Sequence, residues 1–370
     1  MPPIQFKTLE NALGGRNRLD FGIVRPRVLN PGNARVRVGR TSLAVPRVGV
    51  GTAPLGNMFE AHSDEHADAV LASAVAHGLR YFDTAPLYGH GLAEQRVGRA
   101  VARLPRDEVF VSTKVGRLLR ANAPRDETQF YLGEPFYKDV PQVGPVWDFT
   151  YDGIMTSVDE SYQRTGLDRF DVLLLHDPDD HLDVAGTSAF RALAKLREDG
   201  TTRAIGAGAN QASTLARLVE ACDLDVLLLA GRYTLLDQVA MDELLPLCEQ
   251  RTISIVVGGV FNSGILIDPA PGARYNYVPA DPAVISRAQR IKSVCDRYDV
   301  PLPAVALQFP YAHPRVCTVL LGIRSIEELE KDLQWLDVSI PDQLWAELKH
   351  EGLLREDAPT PRSSRIESRQ

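Results

Sequence analysis

The chain has 370 residues, 44% hydrophobic and 24% charged, with a net charge of −7, values ordinary for a globular protein that buries a sizeable core. The acidic balance argues against nucleic acid or an anionic membrane as partner, and no apolar run approaches the roughly 18–20 residues that span a bilayer. A small-molecule substrate is the simpler expectation; oligomeric state is not readable.

Residues 1–34 mix Pro, Gly, Asn and Arg without periodicity and read as an extended arm. The arm has no apolar core of a secretory signal; its arginines hint at a transit peptide, but Glu10, Asp20 and the scarcity of serine speak against one. Residues 35–353 alternate short apolar runs with helical patterns. The run VGVGTA (48–53) precedes a helix over about 64–77, capped by Ser63 or Asp64, with Ala67, Val70, Leu71, Ala74 and Val75 on one face. Strand 79–83 follows, then helix 92–104, strand 109–114, helix 152–165, strand 171–176, helix 188–199 and strand 203–208. Helix 212–221, strand 225–230, helix 240–250, strand 253–258, helix 283–298 and strand 316–322 continue the alternation. A last helix carries Ile326, Leu329, Leu333 and Leu336. Four cysteines along this stretch (Cys222, Cys248, Cys295, Cys317) form no CxxC pair and read as reduced, buried thiols of a cytoplasmic protein.

Eight Val/Ile/Leu-rich strands alternating with helices imply a parallel sheet buried on both faces. The expected fold is an α/β (β/α)8 barrel; an open doubly wound sheet is the alternative, weakened by the lack of GxGxxG after the first strand. Two segments break the rhythm. Residues 115–150 make a connection far longer than the usual two to six residues, with Phe130, Tyr131, Phe136, Tyr137, Trp147 and Phe149, and read as a lid over the site or as loop packing. The polar tail from 354 to 370 is either disordered or laid across the barrel mouth.

In such a barrel, polar residues at the C-terminal strand ends face the active-site mouth. Strand two ends in Asp83, strand three in Lys114 and strand four in His176, with Tyr88 in the loop TAPLYGHG. A tyrosine near pKa 10 is a poor acid or base at neutral pH unless perturbed. A buried lysine beside it is expected to lower that pKa, with Asp83 compensating the ammonium and His176 orienting a substrate oxygen. Any hydride must come from a cofactor, because no side chain carries one.

The strings YFDTAPLYGHGLAEQRVG, STKVG and DVLLLHDPD resemble the signatures of the aldo-keto reductases over about residues 40–340. The strings AGRYTLLDQ (230–238) and GGVFNSGIL (258–266) are similar to a bacterial branch of that family containing L-fucose, D-threo-aldose 1- and pyridoxal 4-dehydrogenases. The resemblance implies an NAD(P)-dependent oxidoreductase with Asp83, Tyr88, Lys114 and His176 as catalytic tetrad and Tyr88 as acid/base; Tyr88 and His176, with Trp147 from the long 115–150 connection, are expected at the substrate. A sugar 1-dehydrogenase is expected first, a pyridoxal 4-dehydrogenase or aldehyde/ketone reductase second.

By the same resemblance Gly51, Thr52, Ala53 and Asp83 meet the nicotinamide end, Asn210 its carboxamide, and Gly258 and Gly259 replace a stacking aromatic. After strand eight, GIRSIEELEKD (322–332) places Gly322, Arg324, Glu328 and Asp332 at the adenosine end. Glu328 standing where relatives carry arginine favours NAD over NADP, although Ser325-x-x-Glu328 is also a capping box. Two other classes compete. The string HDPDDH (176–181) could ligate a metal in a hydrolase, but no second cluster joins it, and a non-catalytic binding protein would have no need of all four residues.

Overall fold

A computed structural model describes residues 35–362 apart from 125, 127, 128 and 132; the expected arm and the end of the tail, 363–370, lie outside the described residues. Eight parallel strands close into a barrel: β1 (Val48–Gly51), β2 (Tyr81–Asp83), β3 (Phe110–Val115), β4 (Val172–His176), β5 (Ala204–Ala209), β6 (Val226–Ala230), β7 (Ser254–Gly258) and β8 (Val316–Gly322), the last pairing with the first. The register aligns Gly322 with Gly51, Gly51 with Asp83, Asp83 with Ser112, His176 with Gly208 and Ala230 with Gly258. The C-terminal strand ends therefore form one rim.

Helices α1 (Asp64–Ala76), α2 (Leu92–Val101), α3 (Tyr151–Thr165), α4 (Phe190–Glu198), α5 (Ala212–Ala221), α6 (Leu244–Arg251) and α7 (Pro282–Arg297) surround the strands. The Ser63 cap read from sequence is made, Ser63 Oγ accepting from His66 N at 3.2 Å, and Asp281 Oδ1 caps α7 by accepting from Ala283 N at 2.8 Å. Ala67, Val70, Leu71 and Ala74 form the buried face of α1. Two helices had no sequence expectation: α8 (Leu302–Gln308) and α10 (Asp342–His350), which flank α9 (Ile326–Leu336). Every residue of α8 is buried, and a helix covered on all sides shows no amphipathic period.

The other end of the barrel is sealed by a hairpin, Arg35–Arg37 against Ala44–Pro46. Its Val38, Leu43 and Val45 are buried with Tyr81, Phe110, Val172 and Cys317. Traffic is thus confined to the C-terminal rim. The tail begins beside α7, where Arg287 donates to Leu353 O at 2.7 Å; Leu353, Leu354 and Ala358 are buried, and Arg355 pairs with Asp242. All four cysteines are free and buried. No helix among the described residues is long and apolar enough to cross a membrane.

The 115–150 connection is a folded excursion. Arg117–Arg120 pairs antiparallel with Gly144–Trp147, and Phe130–Tyr131 with Glu134–Pro135. Its aromatics divide between two tasks. Phe149 is buried in the core, whereas Phe136 meets Phe59 at 5.3 Å and Tyr277 at 6.0 Å between ring centroids. Arg274 lies 5.0 Å from the rings of both Phe59 and Tyr131. Loops after β1, β3 and β7 thereby join into a roof on the rim side.

Candidate active site

Strands β2, β3 and β4 bring three ionisable groups to adjacent positions on the rim. Lys114 Nζ donates to Asp83 Oδ2 at 2.6 Å and to Thr84 O at 3.1 Å, and both ends of this ion pair are buried. Asp83 is fixed further by Ser112 Oγ, 2.7 Å from its Oδ1, and its carbonyl accepts from Thr52 N and Oγ1. Thr52 therefore supports Asp83. Tyr88 stands beside this pair: Lys114 Nζ is 4.5 Å from its ring centroid, and the His176 ring crosses it edge-on at 5.8 Å. Asp83, Tyr88, Lys114 and His176 are brought together.

The expected electrostatics of Tyr88 need correction. Burial pushes its hydroxyl well above the usual range, Asp83 and Asp177 push the same way, and Arg117 opposes them. Lys114 does not reverse this, because its hydrogen bonds go to Asp83 and Thr84 and it approaches the face of the ring. At rest Tyr88 is a neutral phenol, equipped to give a proton. Burial, followed by Arg117 and Lys114, holds the His176 imidazole well below its ordinary value. His176 is a neutral hydrogen-bonding group, with Nε2 3.6 Å from Asp177 Oδ2 and Nδ1 buried without a partner.

A second, part-buried ion pair is not visible in the sequence pattern. Arg117 Nη2 donates to Asp177 Oδ2 at 2.6 Å, and its guanidinium lies 3.9 Å from the Trp147 ring centroid. Trp147 in turn meets Phe149 and His181 at 5.9 and 5.4 Å. The signal was present in the three residues after Lys114 and the one after His176, but Asp177 was weighed only as a metal ligand. The string 176–181 is in fact divided among partners: Asp177 on Arg117, Asp179 on Thr214 Oγ1 at 2.6 Å, and His181 on the aromatics.

The remaining rim is bare. Around the barrel, β5, β6, β7, β8 and β1 follow one another, with Gly208, Ala230, Gly258, Gly322 and Gly51 at or near their ends. A Cβ added at Gly51, Gly208, Gly258 or Gly322 would meet its nearest atom at 3.6, 3.4, 3.7 and 3.6 Å, ordinary contact that packing would tolerate. Deeper in β5, by contrast, a Cβ on Gly206 would fall 1.6 Å from Val226 O, so neighbouring backbone demands glycine there. The rim glycines, with Ala230, instead make a floor of glycine and alanine beside the ionisable cluster, Gly208 next to His176 and Gly51 next to Asp83. Gly259 has a different reason: its φ of +63° turns the chain back over β6. Asn210 is exposed just past β5, and Ala53 follows Thr52 at the mouth.

Beyond β8, Glu328 accepts from Arg324 N at 2.7 Å and Nε at 3.0 Å, and its own N–H donates to Ser325 Oγ at 3.2 Å. The carboxylate thus completes the helix cap and neutralises Arg324. Asp332, one turn on, is buried, and burial followed by Glu328 pushes its carboxyl up to about 7.

A model of the aldo/keto reductase family matches residues 47–351. The chain belongs to that family. It is an NAD(P)-dependent oxidoreductase acting on CH–OH groups. A D-threo-aldose 1-dehydrogenase from a Pseudomonas species is 45% identical, covering 86% of this chain and 96% of its own. A pyridoxal 4-dehydrogenase from Microbacterium luteolum is 40% identical over 86% and 97%. Among solved structures, an aldo-keto reductase from Bacillus halodurans in its holo form superposes with TM-score 0.68 at 24% identity over 87% and 96%, and shares the fold.

Proposed function

We propose that this aldo-keto reductase oxidises the anomeric hydroxyl of an aldose to a lactone, using Asp83, Tyr88, Lys114 and His176 with NAD as the preferred cofactor. The observation carrying the reading is the division of one rim: a proton-handling cluster on β2–β4 adjoins a floor, running from β5 round to β1, whose strand ends carry only glycine and alanine. A nicotinamide seated on that floor would accept the hydride from C1. In reduction Tyr88 gives its proton to the C1 oxygen; in oxidation its phenolate, formed by losing that proton to solvent, takes the C1 hydroxyl proton, while His176 hydrogen-bonds the same oxygen and the Lys114–Asp83 pair fixes the ring of Tyr88. The 45% identity to an aldose dehydrogenase supports the substrate class. Pyridoxal oxidation is the second reading, favoured by the aromatic roof of Phe59, Phe136 and Tyr277.

Free aldoses should reduce NAD, followed by absorbance, while methyl glycosides blocked at C1 stay inert. Turnover of simple aldehydes or ketones with no sugar oxidation would overturn the aldose reading. For the cofactor, Arg324 is already matched by Glu328, so the 2′-phosphate of NADP meets no free charge there. NADP should bind about tenfold more weakly than NAD, a difference on the order of 1 kcal/mol. Glu328→Gln keeps the cap, frees Arg324 and should narrow that gap. Equal binding by wild type, unchanged in Glu328→Gln, would refute the cofactor assignment.

A further inference from the structure

We propose that the Arg117–Asp177 pair is a polyol-recognition site, in which the Asp177 carboxylate accepts hydrogen bonds from the non-reacting hydroxyls of a neutral, polyhydroxylated substrate. The idea rests on the aldose reading and names the residue that selects for hydroxyls. Asp177 immediately follows His176, and its φ of +42° takes it out of the strand while its N–H donates to Gly208 O at 2.8 Å. The side chain is thus held by its backbone in a conformation that few residues other than glycine adopt. Both of its contacts, with Arg117 at 2.6 Å and His176 Nε2 at 3.6 Å, use Oδ2. Oδ1 enters neither, and about a third (32%) of the side chain is open to the mouth.

Stability does not account for such a pair. Removing a guanidinium and a carboxylate from water costs as much as their attraction returns, and apolar replacements commonly do as well. Arg117 is 95% covered, by Trp147 among others, with its Nε left without a partner. What the arrangement does provide is a fixed anionic acceptor beside the atom that His176 would orient. Two further hydroxyls come from separate loops. Tyr137, buried, packs on His90 at 6.1 Å, and Tyr277 packs on Phe136 at 6.0 Å. Burial raises both phenols and the charge of Asp177 adds to the effect on each, so both lie within electrostatic reach of that carboxylate, Tyr277 from a partly exposed position (39%).

Charge balance defines the ligand class. Among the described residues, the cations beside Tyr88 and His176, Lys114 and Arg117, are each matched by an aspartate, which leaves neither to meet a phosphate or carboxylate at the reacting carbon. A carboxylate with a free oxygen, flanked by phenols, suits donors: the O–H groups of a neutral sugar.

The test compares glyceraldehyde with propanal in the reducing direction and an aldose with its 2-deoxy analogue in the oxidising direction. Asp177→Asn keeps the shape and an oxygen for Arg117. It should lower the ratio of kcat/KM for hydroxylated over unhydroxylated partner about tenfold, mainly through KM, as expected for one charge-assisted hydrogen bond. Tyr277→Phe, which removes one oxygen only, should lower the same ratio by a smaller factor and guards against loss of folding in Asp177→Asn. Equal losses on both members of each pair would mean that Asp177 acts only by holding His176, and would overturn the proposal, as would no loss. If wild type oxidises no aldose, the glyceraldehyde-to-propanal ratio still decides the role of Asp177, so the two readings fail separately.

Discussion

Replacing Lys114 with Met strips a buried carboxylate of its counter-ion while leaving the methylene stem in place. At 2.6 Å, with an effective dielectric near 20, the lost attraction is roughly 6 kcal/mol. Ser112 Oγ remains on Asp83 Oδ1 and offsets part of it, so the net destabilisation should be about 3–5 kcal/mol, the usual cost of orphaning one member of a buried pair. For a barrel of this size that corresponds to a fall in Tm of about 5–10 °C. The double variant Asp83→Asn/Lys114→Met removes both charges and should lose at least about 2 kcal/mol less than the two single losses added together. Thermal unfolding of the four proteins completes the cycle. Additive losses would refute the claim that these two groups are coupled in the folded state.

Tyr88→Phe removes only the phenolic oxygen and should lower turnover about 10²–10⁴-fold with Tm and NAD affinity nearly unchanged; near-normal turnover would remove Tyr88 from the chemistry. Asp332 has its carboxyl raised from an ordinary value near 3.8 to about 7 by burial. Its contribution to stability is therefore fully present below pH 4 and lost as pH climbs through 7, a change of up to about 4 kcal/mol. Asp332→Asn should match wild type in Tm at pH 4 and exceed it at pH 8; parallel Tm curves would exclude the effect.

The barrel was legible because its strands are unbroken apolar runs such as VLLLH and VLLLA, which only a doubly covered sheet accommodates. Asp83, Lys114 and His176 were legible for a related reason: each is the last residue of a strand as the sequence delimits it (79–83, 109–114, 171–176) and so lies on the rim. Helix α8 was hidden by its lack of a polar face. The Arg117–Asp177 pair was hidden because its partners lie 60 positions apart, Asp177 lies just past the end of β4, and Arg117 opens a short strand inside the 115–150 connection that shows no alternation of its own. The raised pKa of Tyr88 comes first from burial and then from Asp83 and Asp177, and Lys114 does not offset it because it meets the ring face, a matter of ångströms that spacing does not encode. The double duty of Glu328 was half visible, since the capping box can be read from four letters and the clasp on Arg324 cannot.

The seam of the barrel joins Val48 to Val319 and Gly51 to Gly322, the two ends of the alternating chain. Thr318 Oγ1 and Val319 N bind Pro46 O and Arg47 O at 2.7 and 2.9 Å on the same line. Until residue 322 leaves the ribosome, roughly 15–60 s after initiation at ordinary elongation rates, β1 has one edge unpaired and the sheet remains an open fan. Closure of so long a loop is among the slowest contacts a domain can make. The proton-handling strands β2–β4 are made early, but the floor of glycine and alanine beside them is complete only once the seam has formed. Catalytic competence therefore arrives in a single late step of synthesis, and a nascent chain arrested before β8 is a sheet with two open edges, a substrate for chaperones and for aggregation.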